Sequence, residues 1–575
     1  MTLPRLAHSV LVPFHSLRRH EPERPLFTFV DDRGRDEETL TAGALAGSAE
    51  AVAESLRGWG FEPGDRALLV YPPGADFVRA LIGCLVAGVV PVPVYPPNPL
   101  RLKHDLPGFN AIVDSCRPKA ILTNGAYSRA KTVGAVGGLF DANRPKWPEL
   151  RWHHTDRCAR TPGAPVGWHT PADPSETALL QYTSGSTSAP KGVEITHGNL
   201  AHEVWANAVD LSLGEDARGV FWLPQYHDFG LISVILSTIA GNSHTHLLSP
   251  MTFLERPSVW FDVMSRVRAT HTAAPNFAFE VAVRRTTPEQ RATWDLSSVY
   301  AFMSAAEPIR MSTVDKFFTA FDASGLRRDA FYPAYGLAEH TVSVSMGGRA
   351  MLECSRSLLE KGVVRSASAN GDRARLVGCG RLTKAEMVVR IVDPGTRALC
   401  APGVVGEIWV DSPTKAKGYF GLAEETTLTF HAELAEPDGR GYLRTGDLGF
   451  LREGELFVTG RLKDLIILNG RNLYPEDVES AVRDCHAGIR PGGLAAFAVP
   501  SGNGSERLVI FVETRDKGVG EEITAEVRVA VAERFQLACE VVVGPPGLVR
   551  KTTSGKVRRG ACRAAHLEAS ADAAA

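Results

Sequence analysis

The residues from Gln181 to Gly192 read Gln-Tyr-Thr-Ser-Gly-Ser-Thr-Ser-Ala-Pro-Lys-Gly. Glycine lets a backbone curl so that several N–H groups converge on one point. Here Gly185 sits among the hydroxyls of Thr183, Ser184, Ser186 and Thr187, and Lys191 adds a mobile positive charge. That inventory suits the phosphates of ATP; a polar surface loop is the plainer alternative. No Gly-Lys-Ser/Thr opens the following helix, so this is not a Walker A loop. The apolar run Ala178-Leu179-Leu180 leads in like the end of a strand.

Further chemistry lies downstream. Trp222-Leu-Pro-Gln-Tyr-His-Asp228 puts His227 and Asp228 just past a strand that ends at Pro224, where sites collect in open α/β sheets. A structural His–Asp pair would read the same way. Tyr332-Pro-Ala-Tyr-Gly-Leu-Ala-Glu339 offers Tyr335, a flat ring beside Gly336 suited to stacking on a base. It also offers Glu339, a hard oxygen donor suited to Mg²⁺. Asp447, in Tyr442-Leu-Arg-Thr-Gly-Asp447, can accept two ribose hydroxyls or simply cap a turn. Arg461 can reach ribose or phosphate. Lys551-Thr-Thr-Ser-Gly-Lys556 is a basic loop that reads either as a solvated charge run or as the carrier of a mobile cation.

Together these strings resemble the adenylate-forming superfamily, the acyl-CoA synthetase and luciferase-like enzymes, over about Pro13 to Arg559. The spellings Trp222 to Asp228, Ala274-Pro-Asn-Phe-Ala-Phe279 and Ala306-Glu307-Pro308 narrow the resemblance to the fatty acyl-AMP ligases. The resemblance implies ATP and Mg²⁺ as cofactors, with adenine against Ala306, Glu307, Pro308, Tyr335 and Gly336. It implies metal on Glu339, ribose on Asp447, and His227 at the border of ATP and the fatty carboxylate. Phe277 and Phe279 would wall the acyl tunnel, although core packing explains them equally well. A tunnel holds its chain by burial, about 0.8 kcal/mol per methylene. Lys463 matches the family hinge and Lys556 its catalytic lysine.

These residues need several elements to position them. A chain of 575 residues is too long for one ordinary core. Strands alternate with helices up to residue 345, which indicates an α/β sandwich. Residues 145–175 show no periodicity and read as a connection. Short strands then suggest a small barrel-like subdomain over 378–462, completing a large N-terminal part, 1–462. Residues 463–565 read as a mobile α+β domain, and 566–575, rich in Ala, Ser, Asp and Glu, as a disordered tail.

Residues 346–376 resemble the insertion typical of the ligases. Their apolar residues are expected to bury against the N-terminal domain and to hamper the movement or path that free CoA needs. A surface excursion would also fit, since long loops are cheap in stability. The expected acceptor is therefore the phosphopantetheine thiol of an acyl carrier protein, on a separate chain, in polyketide, lipid or nonribosomal peptide synthesis. A long-chain acyl-CoA synthetase is the alternative; a non-catalytic relative would have lost charges that are all present here.

Composition fits an ordinary globular enzyme: 22% charged residues, 44% hydrophobic, formal charge −2. With no basic excess, nucleic acid is a poor partner. Nine scattered cysteines without a C-x-x-C pair suggest a reducing cytoplasm. No secretory signal or membrane-spanning run stands out.

Overall fold

The computed structural model describes residues 9–136, 145–161, 166–183, 190–368, 372–468, 470–501, 506–552 and 555–574. The chain opens with helix Leu11–His20, a hairpin of Pro25–Val30 and Asp36–Thr41, and helix Ala42–Gly58. Thr41 caps that helix by accepting the Ala44 N–H, 3.2 Å. The helix buries Leu45, Ala49, Val52 and Leu56, packing closely on helix Ala75–Ala87. A Cβ on Gly83 would stand 2.6 Å from Val52, so only glycine permits the approach.

A four-stranded parallel sheet runs Val90–Pro93, Arg66–Leu69, Ala120–Thr123, Trp152–His154. Pro91 and Pro93 are tolerated because Val90–Pro93 is an edge strand. Trp152–His154 lies inside the stretch expected to be a plain connection. Three residues are too few to show a period, yet they pair along Ala120–Thr123.

The larger sheet contains the parallel run Pro25–Val30, His244–Leu247, Arg218–Phe221, His271–Ala274, Ala301–Ser304, Phe331–Gly336. It then turns antiparallel through Ser343–Met346 into Arg373–Arg381, Glu455–Arg461, Leu443–Arg452, Gly406–Asp411 and Val388–Val392. The strands read as a barrel-like subdomain thus continue the main sheet edge to edge. A hairpin of Thr177–Thr183 with Lys191–Thr196 forms a third sheet with Gly418–Tyr419.

Beyond Lys463 a hairpin, Ile466–Leu468 with Arg471–Leu473, precedes helix Pro475–Val482. Strands Leu494–Pro500, Glu506–Glu513 and Cys539–Gly544 form a separate sheet. It is packed by helix Gly520–Phe535 around its own apolar cluster. The tail corrects the sequence expectation: residues 566–574 are not disordered but complete helix Arg559–Ala574. Alanine is the best helix former, and the low-complexity composition concealed that. Cys562 and His566, one turn apart, are buried, with the His566 ring 5.8 Å from Phe511 and 6.1 Å from Phe497.

Candidate active site

The C-terminal ends of four adjacent parallel strands deliver one group of residues, as expected for an open α/β sheet. Arg218–Phe221 leads into Trp222 to Asp228, and His271–Ala274 into Pro275 to Phe277. Ala301–Ser304 leads into Ala305 to Pro308, and Phe331–Gly336 carries Tyr335 and Gly336.

His227 and Asp228 form a pair, Nδ1 to Oδ1 2.5 Å. The Phe229 N–H donates to Asp228 Oδ1, 2.6 Å, at the start of a π-helix, Phe229–Leu236. Such wide turns recur at functional sites. Burial pushes the Asp228 carboxyl up, but the charges of His227 and Lys556 and the Phe229 N–H bring it below its ordinary value. Glu307 accepts the Phe277 N–H at 3.0 Å. Burial raises its carboxyl despite that bond and the nearby Lys556 and Arg310. Between them Ala306 adopts a left-handed φ of 69°, a conformation that costs a non-glycine residue about 1 kcal/mol. Local strain of this kind clusters at ligand-binding turns.

Tyr335 donates its hydroxyl to Asp447 Oδ2, 2.8 Å. Asp447 sits opposite Arg461 in the hairpin register, and Arg461 Nε lies 3.0 Å from its Oδ1. The Asp447 carboxylate holds the Arg461 guanidinium above its ordinary value, while burial and that carboxylate push the Tyr335 phenol up. The segment carrying Glu339 is fixed on two sides. His340 is hydrogen-bonded to Ser343 O, 2.8 Å, and Ser412 Oγ, 2.6 Å; the Ala416 N–H donates to Glu339 O, 3.0 Å. Glu339 Oε1 accepts the Tyr419 hydroxyl at 2.9 Å. Among the described residues Oε2 takes no hydrogen bond.

Thr183 and Lys191 face each other across the mouth of the hairpin formed by Thr177–Thr183 and Lys191–Thr196. Gly192 is obligatory there, since a Cβ would meet the Tyr182 ring at 2.8 Å. Ser184, Gly185, Ser186 and Thr187 lie outside the described residues.

Lys556 arrives from the C-terminal domain. Its short turn is closed by the Thr552 N–H donating to Lys556 O, 2.8 Å, and by the Lys556 N–H donating to Thr552 Oγ1, 3.1 Å. The ammonium lies within electrostatic reach of Asp228, Glu307, Asp447 and Arg461. Burial lowers its pKa, and the three carboxylates oppose that shift. Lys463 occupies the 3-10 turn Leu462–Asp464 between the two domains. Arg559, just beyond the Lys556 loop, pairs with Asp464 at 3.4 Å and with Glu476 and Glu479 at 2.9 and 2.8 Å, tying that loop to the turn.

The two phenylalanines part company. Phe277 is half-buried beside Trp222, ring centres 6.2 Å apart. Phe279 is wholly buried, 5.3 Å from Phe302 and 4.8 Å from Phe317. It is a core residue: two positions beyond Phe277 in helix Asn276–Arg285, it points to nearly the opposite face.

Sequence reasoning missed Tyr419 and the side chains that join the insertion to the C-terminal domain. Arg356 Nη1 lies 3.2 Å from Asp477 Oδ2, and Arg471 Nη2 lies 2.8 Å from Glu360 Oε2. The Asn472 N–H also donates to Glu360 O, 2.8 Å. Cys354, Leu359 and Val364 bury against Leu448, Phe450 and Phe457 of the N-terminal part, as expected, and also against Tyr474 beyond Lys463. No periodicity marks such long-range pairs.

Residues 14–420 match the family model described as AMP-binding enzyme. The chain is 40% identical to the medium-chain-fatty-acid–[acyl-carrier-protein] ligase JamA of Moorena producens, over 98% of this chain and 96% of that one. The chain belongs to the fatty acyl-AMP ligases of this family. It is 35% identical to the long-chain-fatty-acid–AMP ligase FadD32 of Mycolicibacterium smegmatis, over 92% and 89% of the two chains. A solved fatty acyl-adenylate ligase from L. pneumophila, in complex with acyl adenylate and pyrophosphate, superposes with a TM-score of 0.73. That protein is 32% identical, with 98% of this chain and 96% of that one covered. The chain is accordingly an ATP-dependent adenylating ligase. No helix among its described residues is long and apolar enough to cross a membrane.

Proposed function

We propose that this ligase activates a medium- or long-chain fatty acid as its acyl-adenylate and passes the acyl group to the phosphopantetheine thiol of an acyl carrier protein, for polyketide, lipid or nonribosomal peptide synthesis. The observation that carries the first half is the convergence, at adjacent strand ends, of the His227–Asp228 pair, the Glu307 turn and the Tyr335–Asp447–Arg461 cluster, with Lys556 within electrostatic reach of them. The fatty carboxylate attacks the α-phosphorus of ATP, a new P–O bond forms, the α–β bridge breaks and pyrophosphate leaves. Orientation and electrostatics do this work; no covalent nucleophile is needed. Lys556 balances charge on the carboxylate and α-phosphate. The phosphate loop, ending at Lys191, holds the β- and γ-phosphates. Tyr335, Gly336 and the Ala306 turn flank adenine; Asp447 and Arg461 take the ribose once their mutual pair opens. His227 borders the carboxylate, and the apolar face of Trp222 and Phe277 borders the chain.

Glu339 is a suitable Mg²⁺ ligand. It is a hard oxygen donor with one oxygen fixed by Tyr419, and Mg²⁺ needs few protein ligands when phosphates supply others. Bound there, Mg²⁺ would neutralise charge on the departing pyrophosphate. Glu339→Gln is expected to raise the Mg²⁺ concentration for half-maximal adenylation about tenfold, through loss of one charge-assisted contact. An unchanged requirement would remove Glu339 from that role. Nine free cysteines suit the cytoplasm we propose for it.

The second half rests on the insertion. Its Arg356–Asp477 and Glu360–Arg471 pairs tie the C-terminal domain in the orientation that presents Lys556. Thiol transfer requires Lys556 to leave, by rotation about Lys463. A carrier that docks on protein surface has binding energy to offset loss of these ties; free CoA has less. Enzyme, ATP and dodecanoate, incubated with either CoA or holo-carrier protein, should yield thioester on the carrier. Acyl-CoA formed at a matching rate would instead make the chain an acyl-CoA synthetase. Glu360→Ala, which removes the ion pair with Arg471, should raise residual acyl-CoA formation about fivefold, the scale of one partly buried pair, with adenylation unchanged.

A further inference from the structure

Tyr419 lies in the two-residue strand Gly418–Tyr419, paired to the strand that carries Lys191. Three contacts fix it. Its N–H donates to Thr426 Oγ1, 2.9 Å; the Phe430 ring stands edge-on at 5.1 Å; and a Cβ on Gly418 would lie 2.4 Å from Thr426, so glycine alone allows that fit. The ring so held meets two opposite charges. Its hydroxyl donates to Glu339 Oε1 at 2.9 Å, and the Lys191 ammonium sits 4.8 Å from its centre. A cation over an aromatic face is attracted without being neutralised. Among the described residues Lys191 and Glu339 form no ion pair with each other, although both address the same ring.

We infer that Tyr419 is a positioning residue that couples the phosphate-binding lysine to the metal-binding carboxylate and keeps the two from pairing. The inference rests on the nucleotide and metal roles proposed above for Lys191 and Glu339. The hydroxyl orients Glu339, leaving its second oxygen open, while the ring face holds Lys191 by the hairpin mouth. The two halves of the side chain therefore serve two ligands and separate by substitution. Tyr419→Phe removes the hydroxyl and keeps the ring. Tyr419→Leu removes both and lets Lys191 fall toward Glu339.

Binding of α,β-methylene-ATP by isothermal titration calorimetry, with and without Mg²⁺ and without fatty acid, reads the two functions apart. Wild-type enzyme should bind the analogue and gain affinity when the metal is added. Tyr419→Phe should keep its metal-free affinity within about twofold and lose about tenfold or more of the metal-dependent gain, the scale of one hydrogen bond to a charged group. Tyr419→Leu should lose about fivefold in metal-free affinity as well, the scale of a solvent-accessible cation–π contact. Mn²⁺ titration followed by electron paramagnetic resonance checks the first effect without heats. A Phe variant with the full metal-dependent gain overturns the coupling while leaving the nucleotide site standing. A folded Leu variant that matches the Phe variant in metal-free affinity overturns the role of the ring, and if the Leu variant does not fold, the Phe variant decides. Wild-type enzyme that binds no analogue overturns the site reading itself, and the coupling with it.

Discussion

Lys556→Ala should lower the rate constant for adenylate formation about a hundredfold, roughly 3 kcal/mol, the usual loss when one electrostatic contact to the transition state is removed. ATP affinity should stay within about twofold, because the contact matters most when charge gathers between carboxylate and α-phosphate. Lys556 is half-buried and within electrostatic reach of Asp228, Glu307, Asp447 and Arg461, so its charge acts at close range with limited screening by water. Single-turnover formation of acyl-adenylate, set beside equilibrium ATP binding, measures the two quantities separately. A variant with more than half of the wild-type rate would show that Arg461 or another cation does this work. The pH profile carries the same signature. The rate needs the ammonium charged, and burial moves its loss of a proton below the ordinary lysine value of 10.5. The alkaline limb of the single-turnover rate should therefore fall below that pH, and Lys556→Arg should remove the limb along with most of the activity.

Gly336→Ala should be nearly as damaging, for a steric reason. A Cβ on Gly336 would stand 1.8 Å from Val342 O and 2.9 Å from Ser343 Cα, at an irregularity in the pairing of Phe331–Gly336 with Ser343–Met346. Backbone must move to admit the methyl group, and overpacking of that kind costs about 1–3 kcal/mol. The movement falls between Tyr335 and Glu339, so nucleotide affinity should drop about thirtyfold or more, the same energy expressed in binding. Gly47→Ala serves as control. Gly47 lies in helix Ala42–Gly58 with nothing within 4 Å of the added carbon, and the change should raise stability by up to about 1 kcal/mol. Thermal unfolding and ATP titration of both variants test the contrast. Equal behaviour of the two would mean that the Tyr335 to Glu339 segment tolerates backbone displacement.

Local chemistry was legible in the sequence wherever neighbours in the chain supply it. The glycine-containing loop of residues 181–192 and the strand-end position of His227 and Asp228 both follow from spacing and turn residues. The Asp447–Arg461 pair was visible only as two separate candidates. Hairpin register brings them opposite each other, and register depends on bulges that composition does not display. Tyr419 was invisible for a related reason. It acquires meaning only from Lys191, on the strand beside it but far earlier in the chain, and from Glu339, in the turn Ala338–His340. Phe279 and Phe277 look alike in the chain, and helix phase alone turned one into the core and the other toward Trp222. At the tail, alanine content was read as low complexity when Cys562 and His566 already marked one buried helical face. The ties from Arg356 and Glu360 to the C-terminal domain join residues more than a hundred positions apart, where no pattern in the sequence points.

The central claim is that these residues make an acyl-adenylate from a fatty acid and ATP. Fatty-acid-dependent exchange of radiolabelled pyrophosphate into ATP measures that step alone, without a thiol acceptor. Purified protein given dodecanoate, ATP, Mg²⁺ and labelled pyrophosphate should return label to ATP; omission of the fatty acid should abolish the exchange, and replacement of Lys556 by alanine should cut it about a hundredfold. Wild-type protein that exchanges no label with any saturated fatty acid from hexanoate to icosanoate would contradict the account.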